Sequence, residues 1–125
     1  MSKKHPIIAV TGSSGAGTSI AKSAFMYIFR KNGINPAIID GDCFHRYDRN
    51  EMDKLSAEAE KKGEHLTHFG PEGNLFEELE SVFGEYSKKG AGKKRFYIHN
   101  EKEASEHDSA PGTLTPWESL EKNTD

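Results

Sequence analysis

Ile7-Ile8-Ala9-Val10-Thr11-Gly12-Ser13-Ser14-Gly15-Ala16-Gly17-Thr18-Ser19 is the stretch whose reading decides the fold. Ile7 to Val10 is a continuous apolar run rich in β-branched residues, which predicts a strand covered on both faces, as in a parallel sheet. Gly12 to Ser19 predicts a phosphate-binding P-loop. Its glycines let the backbone turn with positive φ and approach an anion closely, so that successive N–H groups and a helix N-terminus face it. The general pattern G-x-x-x-x-G-K-[ST] asks for lysine where this chain has Thr18.

Outward from the loop, apolar residues recur at Ile20, Ala21, Ala24, Phe25, Ile28 and Phe29, a stripe that predicts a helix from Thr18 to Asn32. Gly33 closes it, with Arg30 and Lys31 in the last turn. Pro36 to Asp40 predicts a second short strand. Strand, loop, helix and strand make a βαβ unit with a right-handed crossover. Gly41 to Arg49, polar and placed just past a strand's carboxyl end, lies where open α/β sheets bind ligands.

Further on, Asn50 is read as the cap of a charged surface helix through Met52, Leu55 and Ala59 to Gly63. A loop spans 65–73. Asn74 with Glu77 three residues on gives a capping pattern for the strongest helix, striped by Leu75, Phe76, Leu79, Val82, Phe83 and Tyr86 and closed by Lys88, Lys89 and Gly90. Arg95 to His99 alternates as a strand with Phe96 and Ile98 on one face. Asn100 to Ser109 reads as an acidic loop, Gly112 to Thr115 as a strand pairing back, with Trp117 packing beside it, and the chain from Glu118 as polar with nothing to close a sheet.

Charged residues at 30% and hydrophobic ones at 34%, with a mean hydropathy of −0.78, fit a soluble chain with a modest core. A net charge of −3 gives no basic stripe for a general nucleic-acid binder. Cys43 is the one cysteine, so no intrachain disulfide forms and a reducing, cytoplasmic setting is expected. The apolar run after Pro6 is too short for a signal segment or a membrane span.

In chemical terms, the loop N–H groups suit the β- and γ-phosphates of a nucleotide, and the hydroxyl of Thr18 or Ser19 suits Mg²⁺. Lysine at position 18 would neutralise charge on those phosphates. Lys22 lies one turn further on, so either a cation arrives from outside this chain or catalysis is lost. Asp42 is the candidate general base or acceptor-orienting group; a turn or cap aspartate is the plain alternative. Asp40, ending an apolar run, is a rival as a Mg²⁺ ligand. His45, Arg46 and Arg49 crowd the same turn, and a guanidinium suits a sugar phosphate. His65 and His68 read as polar loop residues, and Cys43 as a small buried apolar one.

Lys4-His5-Pro6-Ile7-Ile8, GSSGAGTS over 12–19, GDCFHR over 41–46, His68-Phe69, Glu72-Gly73-Asn74, Tyr97-Ile98-His99 and Ala110-Pro111-Gly112 together resemble the bacterial type of phosphoribulokinase, within the P-loop phosphoribulokinase and uridine kinase superfamily. In that family threonine stands where the general loop has lysine, so Thr18 departs from the motif and not from the family. The resemblance implies an α/β P-loop NTPase-like fold with a parallel sheet and flanking helices, and a short antiparallel pair near the C-terminus. It implies transfer of the ATP γ-phosphoryl to the 1-hydroxyl of ribulose 5-phosphate. By position it makes Asp42 the catalytic base. Gly12, Ser13, Ser14, Gly15, Ala16, Gly17, Thr18, Ser19 and Ile20 would hold ATP, Ser19 the Mg²⁺, and His45, Arg49 and Lys54 the sugar phosphate; the family lysine aligns with Asp53, one place before Lys54. NADH activation and a large homo-oligomer are carried over, with Lys31 replacing an arginine linked to the effector. A Walker B strand and a lid would follow Asp125, so residues 1–125 are expected to be the N-terminal part of one kinase domain, inactive alone. Two alternatives stand beside this: a uridine kinase-like enzyme and a non-catalytic nucleotide-binding module.

Overall fold

A computed structural model describes residues 3–13 and 15–125. The loop leads into helix α1 (Thr18–Lys31) through Gly17, whose φ of 87° is open to glycine at little cost. Gly15 has φ 80°, and the loop is closed by Ala16 N–H donating to the Ser13 carbonyl at 3.0 Å. Ser14, expected among the phosphate-binding residues, lies outside the described residues. No residue of α1 is buried. Phe25, Met26 and Phe29 are half-buried and, with Ile8, Val10 and Ile38, line an open cavity of about 820 Å³.

The segments 7–10 and 36–40 were expected as neighbours in a parallel sheet, and among the described residues neither is assigned as a strand. A strand exists by its ladder, and residues 7–10 exchange no backbone hydrogen bond with residues 36–40. The described sheet is instead a two-stranded antiparallel pair.

After a 3₁₀ turn at Gly41–Phe44 comes α2 (Arg49–Lys61), and then α3 (Phe76–Lys89). Cys43, Phe44 and Val82 form the buried cluster, with Ile39 and Leu79 packed against it, so α3 sits on the 3₁₀ turn. Phe44 is 2% exposed, burial that contributes about 2–3 kcal/mol. Trp117 packs on its ring at 6.0 Å.

Several boundaries move for local reasons. The cap of α2 is Asp48, not Asn50: its side chain accepts from Glu51 N–H at 2.8 Å while Glu51 reaches back to Asp48 N–H at 3.1 Å, a complete capping box. Asn74 does not cap α3, which starts from Leu75 without a side-chain cap. Residues 101–107 form α4 (Glu101–His107) rather than a loop, because Asn100 accepts from Glu103 N–H at 3.0 Å.

Strand β1 (Lys93–Lys94) pairs with β2 (Glu118–Ser119), where no strand was expected; two residues carry no readable period. The tail then packs on through buried Leu120 and a 2.9 Å hydrogen bond between the Tyr86 and Thr124 hydroxyls. The expected pairing of 95–99 with 112–115 is present as a bridge between Tyr97 and Leu114, flanked by Ile98 N–H to Thr113 O and Thr115 N–H to Phe96 O, each 2.9 Å.

Candidate active site

Asp42 sits in the 3₁₀ turn that follows the extended 36–40 segment. It lines the large cavity together with Gly12, Thr18 and Ser19 of the loop. Two imidazoles flank its carboxylate. His99 Nε2 lies 2.9 Å from Oδ2, and His45 Nε2 lies 3.5 Å from Oδ1, an ion-pair separation. The His45 ring, opposed by partial burial and helped by His99, holds the Asp42 carboxyl below its ordinary range.

The protonation of His45 follows from its other neighbour. The Asn74 amide nitrogen donates to the His68 carbonyl at 2.6 Å and the Gly70 carbonyl at 3.0 Å, which leaves its oxygen to face His45 Nδ1 at 3.0 Å. An amide oxygen only accepts, so Nδ1 carries hydrogen. Nε2 then either points a lone pair at a carboxylate or is protonated as well. The Asp42 carboxylate, partly offset by burial, accordingly raises the His45 pKa above its ordinary value. Asn74 was read as a helix cap; buried and fully hydrogen-bonded, it sets a histidine tautomer instead.

Three residues on one face of the 95–99 segment complete the setting. Arg95 donates from Nε to the Cys43 carbonyl at 2.8 Å and from its terminal nitrogen to the His45 carbonyl at 2.6 Å, and its guanidinium lies 4.4 Å over the Trp117 ring. It clamps the backbone on both sides of Phe44. Tyr97 places its ring 5.4 Å from that of His45 and 5.1 Å from that of His99. Cys43 is buried as expected, and desolvation pushes its thiol up, against a nucleophilic role.

A second, smaller cavity of about 160 Å³ is lined by His45, Arg49, Asp53, His68 and Tyr97, among others. The structure therefore brings His45 and Arg49 together. Asp53, not Lys54, reaches this space; Lys54 is exposed on α2 and lines neither cavity. Arg46 turns away to Glu77 at 3.2 Å and to the Asn74 carbonyl. Lys22 Nζ is tied to Asp40 Oδ1 at 2.7 Å, so that carboxylate already has a cation. Ile20, 77% exposed, lines neither cavity, while Ser19 lines the large one. Among the described residues no group of three or more His, Cys, Asp or Glu is arranged to hold a metal, and no helix is long and apolar enough to cross a membrane.

Comparison with known proteins is consistent with this geometry. Residues 7–125 match the model of the phosphoribulokinase / uridine kinase family. The chain belongs to that family. It is 50% identical over 126 residues to the chromosomal phosphoribulokinase of Cupriavidus necator and 48% identical to the phosphoribulokinase of Nitrobacter vulgaris, covering all of this chain and 43% of each relative. The solved phosphoribulokinase from Rhodobacter spheroides superimposes with a TM-score of 0.84 at 40% identity, over 98% of this chain and 41% of that one. Its likeness supports an α/β P-loop kinase fold.

Within this family member, the sequence singled out Asp42, His45 and Arg49, and left Arg95, His99 and Glu103 without a role. The signal for Arg95 and His99 lay in the period of two: with Phe96 and Ile98 on one face, Arg95, Tyr97 and His99 must share the other.

Proposed function

We propose that this chain is the N-terminal part of a single kinase domain that transfers the γ-phosphoryl of ATP to the 1-hydroxyl of ribulose 5-phosphate, giving ribulose 1,5-bisphosphate for carbon fixation. One observation carries the reading: Asp42, held between two imidazoles, faces the same cavity as the phosphate loop. The whole-chain similarity to phosphoribulokinases supports the choice of acceptor.

The loop fits an anion that needs close backbone approach. A Cβ built on Gly12 would stand 3.0 Å from Ala16 Cβ, and Gly15 and Gly17 hold positive φ. Gly12 to Ile20 would cradle ATP, with the Ser19 hydroxyl on the magnesium ion. When bound, that ion offsets charge on the β- and γ-phosphates. Asp42 would orient the 1-hydroxyl, which gives its proton to the carboxylate as its oxygen attacks the γ-phosphorus and ADP departs. A carboxyl held below its ordinary range is ionised and ready at neutral pH but is a weak base, which suits orientation with late proton transfer in a loose transition state. The His45 ring, whose pKa is raised by the Asp42 carboxylate, and the Arg49 guanidinium, both beside the smaller cavity, suit the 5-phosphate, with Lys54 the remaining cation of the set.

The chain spans about 43% of the length of the curated relatives it matches. The phosphate-neutralising cation, the Walker B acid and the lid would then belong to the rest of the domain, and residues 1–125 alone would be inactive. NADH activation, a homo-oligomeric state and a cytoplasmic location complete the proposal by resemblance. Acceptor competition tests it: given ATP·Mg²⁺ and equal ribulose 5-phosphate and uridine, the intact protein should make the pentose bisphosphate. Uridine monophosphate as main product would place it with the nucleoside kinases. Turnover by the isolated 125 residues would overturn the fragment reading.

A further inference from the structure

His99 is fixed at four atoms. Its backbone N–H donates to Glu103 Oε2 at 2.8 Å, its carbonyl accepts from Arg49 at 3.2 Å, Nδ1 lies 3.0 Å from the same Glu103 oxygen, and Nε2 lies 2.9 Å from Asp42 Oδ2. Glu103 is itself anchored by the cap of α4, where Asn100 accepts its N–H and faces its other oxygen at 3.4 Å. A glutamate three residues past the cap usually closes a capping box on the cap residue's own N–H. Here it reaches one residue further back, to His99.

Each ring nitrogen of His99 meets a carboxylate oxygen, so the ring bridges Glu103 and Asp42. The charged and titratable groups around the ring are Asp42 on the 3₁₀ turn, Glu103 on α4, Arg49 on α2 and Tyr97 on its own segment. The two oxygens of Asp42 are thereby unequal. Oδ2 is in a hydrogen bond of 2.9 Å, while among the described residues Oδ1 has the more distant His45 at 3.5 Å.

We infer that His99, braced by Glu103, is a positioning residue that pins Asp42 Oδ2 and so presents Oδ1 to the acceptor hydroxyl. Rotation of the carboxylate about its Cβ–Cγ bond is stopped from one side. The hydroxyl proton passes to Oδ1 while the hydroxyl oxygen forms its bond to the γ-phosphorus and the bond to ADP breaks. This role rests on the kinase reading of Asp42. The side chains of His99 and Asp42 are about half exposed, 48% and 50%, so water competes for the same atoms and the effect is one of alignment.

The test uses the intact protein with His99→Ala, His99→Gln and Glu103→Gln. His99→Ala should lower kcat roughly 10- to 100-fold with both KM values within about twofold, and His99→Gln, which keeps a donor toward Asp42, should recover much of the loss. An unchanged kcat in His99→Ala, or a loss confined to the KM of the sugar phosphate, overturns the inference. So does a kcat loss that His99→Gln does not relieve. A second readout is independent of turnover: the carboxyl carbon resonance of Asp42 should titrate at higher pH in His99→Ala and in Glu103→Gln than in the unmodified protein. An unmoved midpoint overturns the positioning role whatever the acceptor proves to be, whereas a moved midpoint without pentose phosphorylation sinks the kinase reading alone.

Discussion

Residues 3–40 and residues 41–125 differ in what holds their backbone. The first region carries the phosphate loop and α1, yet Ile8, Val10, Ile20, Tyr27 and Ile28 are all exposed and no residue of α1 is buried. The second has the weaker motifs and the buried contacts: the Cys43, Phe44 and Val82 cluster, the Arg95 clamp, the Asn74 bridge and the two imidazoles on Asp42. A glycine loop is specified by its own dihedral angles, so it reads clearly in sequence and forms locally. A parallel strand needs a neighbouring strand and cover on both faces before its apolar run is buried. Motif strength and packing are thus separate properties here, and the geometry around Asp42 depends on the second.

The sharpest way to break the comparison is at the point where the regions meet. Asp42→Asn in the intact protein should lower kcat by roughly 10²- to 10⁴-fold while ATP affinity by calorimetry stays near normal, because the substitution keeps the size of the side chain and leaves the loop's own Ala16-to-Ser13 hydrogen bond untouched. A parallel loss of ATP binding would mean that the loop leans on the turn. Next in size is a pair of truncations read by urea unfolding. Phe44→Ala should cost about 3–5 kcal/mol, and Ile20→Ala, at 77% exposure, about 0.5 kcal/mol or less. Equal losses would erase the distinction.

Arg95→Ala removes two charge-assisted bonds to carbonyls and the stacking on Trp117, for an expected loss of about 2–4 kcal/mol and a slower kcat through a loosened turn. Lysine at the same position should restore little, since it cannot span both carbonyls. An unshifted urea midpoint in Arg95→Ala would show that the clamp is incidental.

The smallest effect is in pH. The raised His45 pKa adds stability that is fully present below its ordinary value of 6.5 and is lost as pH rises through the raised value. The lowered Asp42 pKa adds stability that is present above 3.8 and is lost as pH falls through the lowered value. The pair therefore contributes most between those limits, modestly given its exposure. Asp42→Asn should move the His45 ring-proton titration back down toward 6.5; an unmoved midpoint would mean that the 3.5 Å contact carries no coupling.

How much was legible in the sequence follows from the same division. The loop, α1, the close of α3 at Gly90 and the pairing of 95–99 with 112–115 rest on local dihedral demands or strict periodicity, and buried Cys43 on residue type. Asn74 misled because its spacing to Glu77 imitates a cap, while tertiary partners at His45, His68 and Gly70 claimed its amide. Asp48 and Asn100, each with a glutamate three residues on, are the residues that do cap helices. His99 and Arg95 act over sequence separations of 57 and 52 residues, to Asp42 and Cys43, and no local pattern encodes those distances.

The central claim is that the turn carrying Asp42 serves phosphoryl transfer to a pentose phosphate. It is tested most directly by the phosphorus NMR spectrum of what the intact protein makes from ATP·Mg²⁺ and ribulose 5-phosphate. Two phosphomonoester signals from one pentose, on carbons 1 and 5, should appear together with ADP. Inorganic phosphate and ADP alone, with the pentose unchanged, would contradict it.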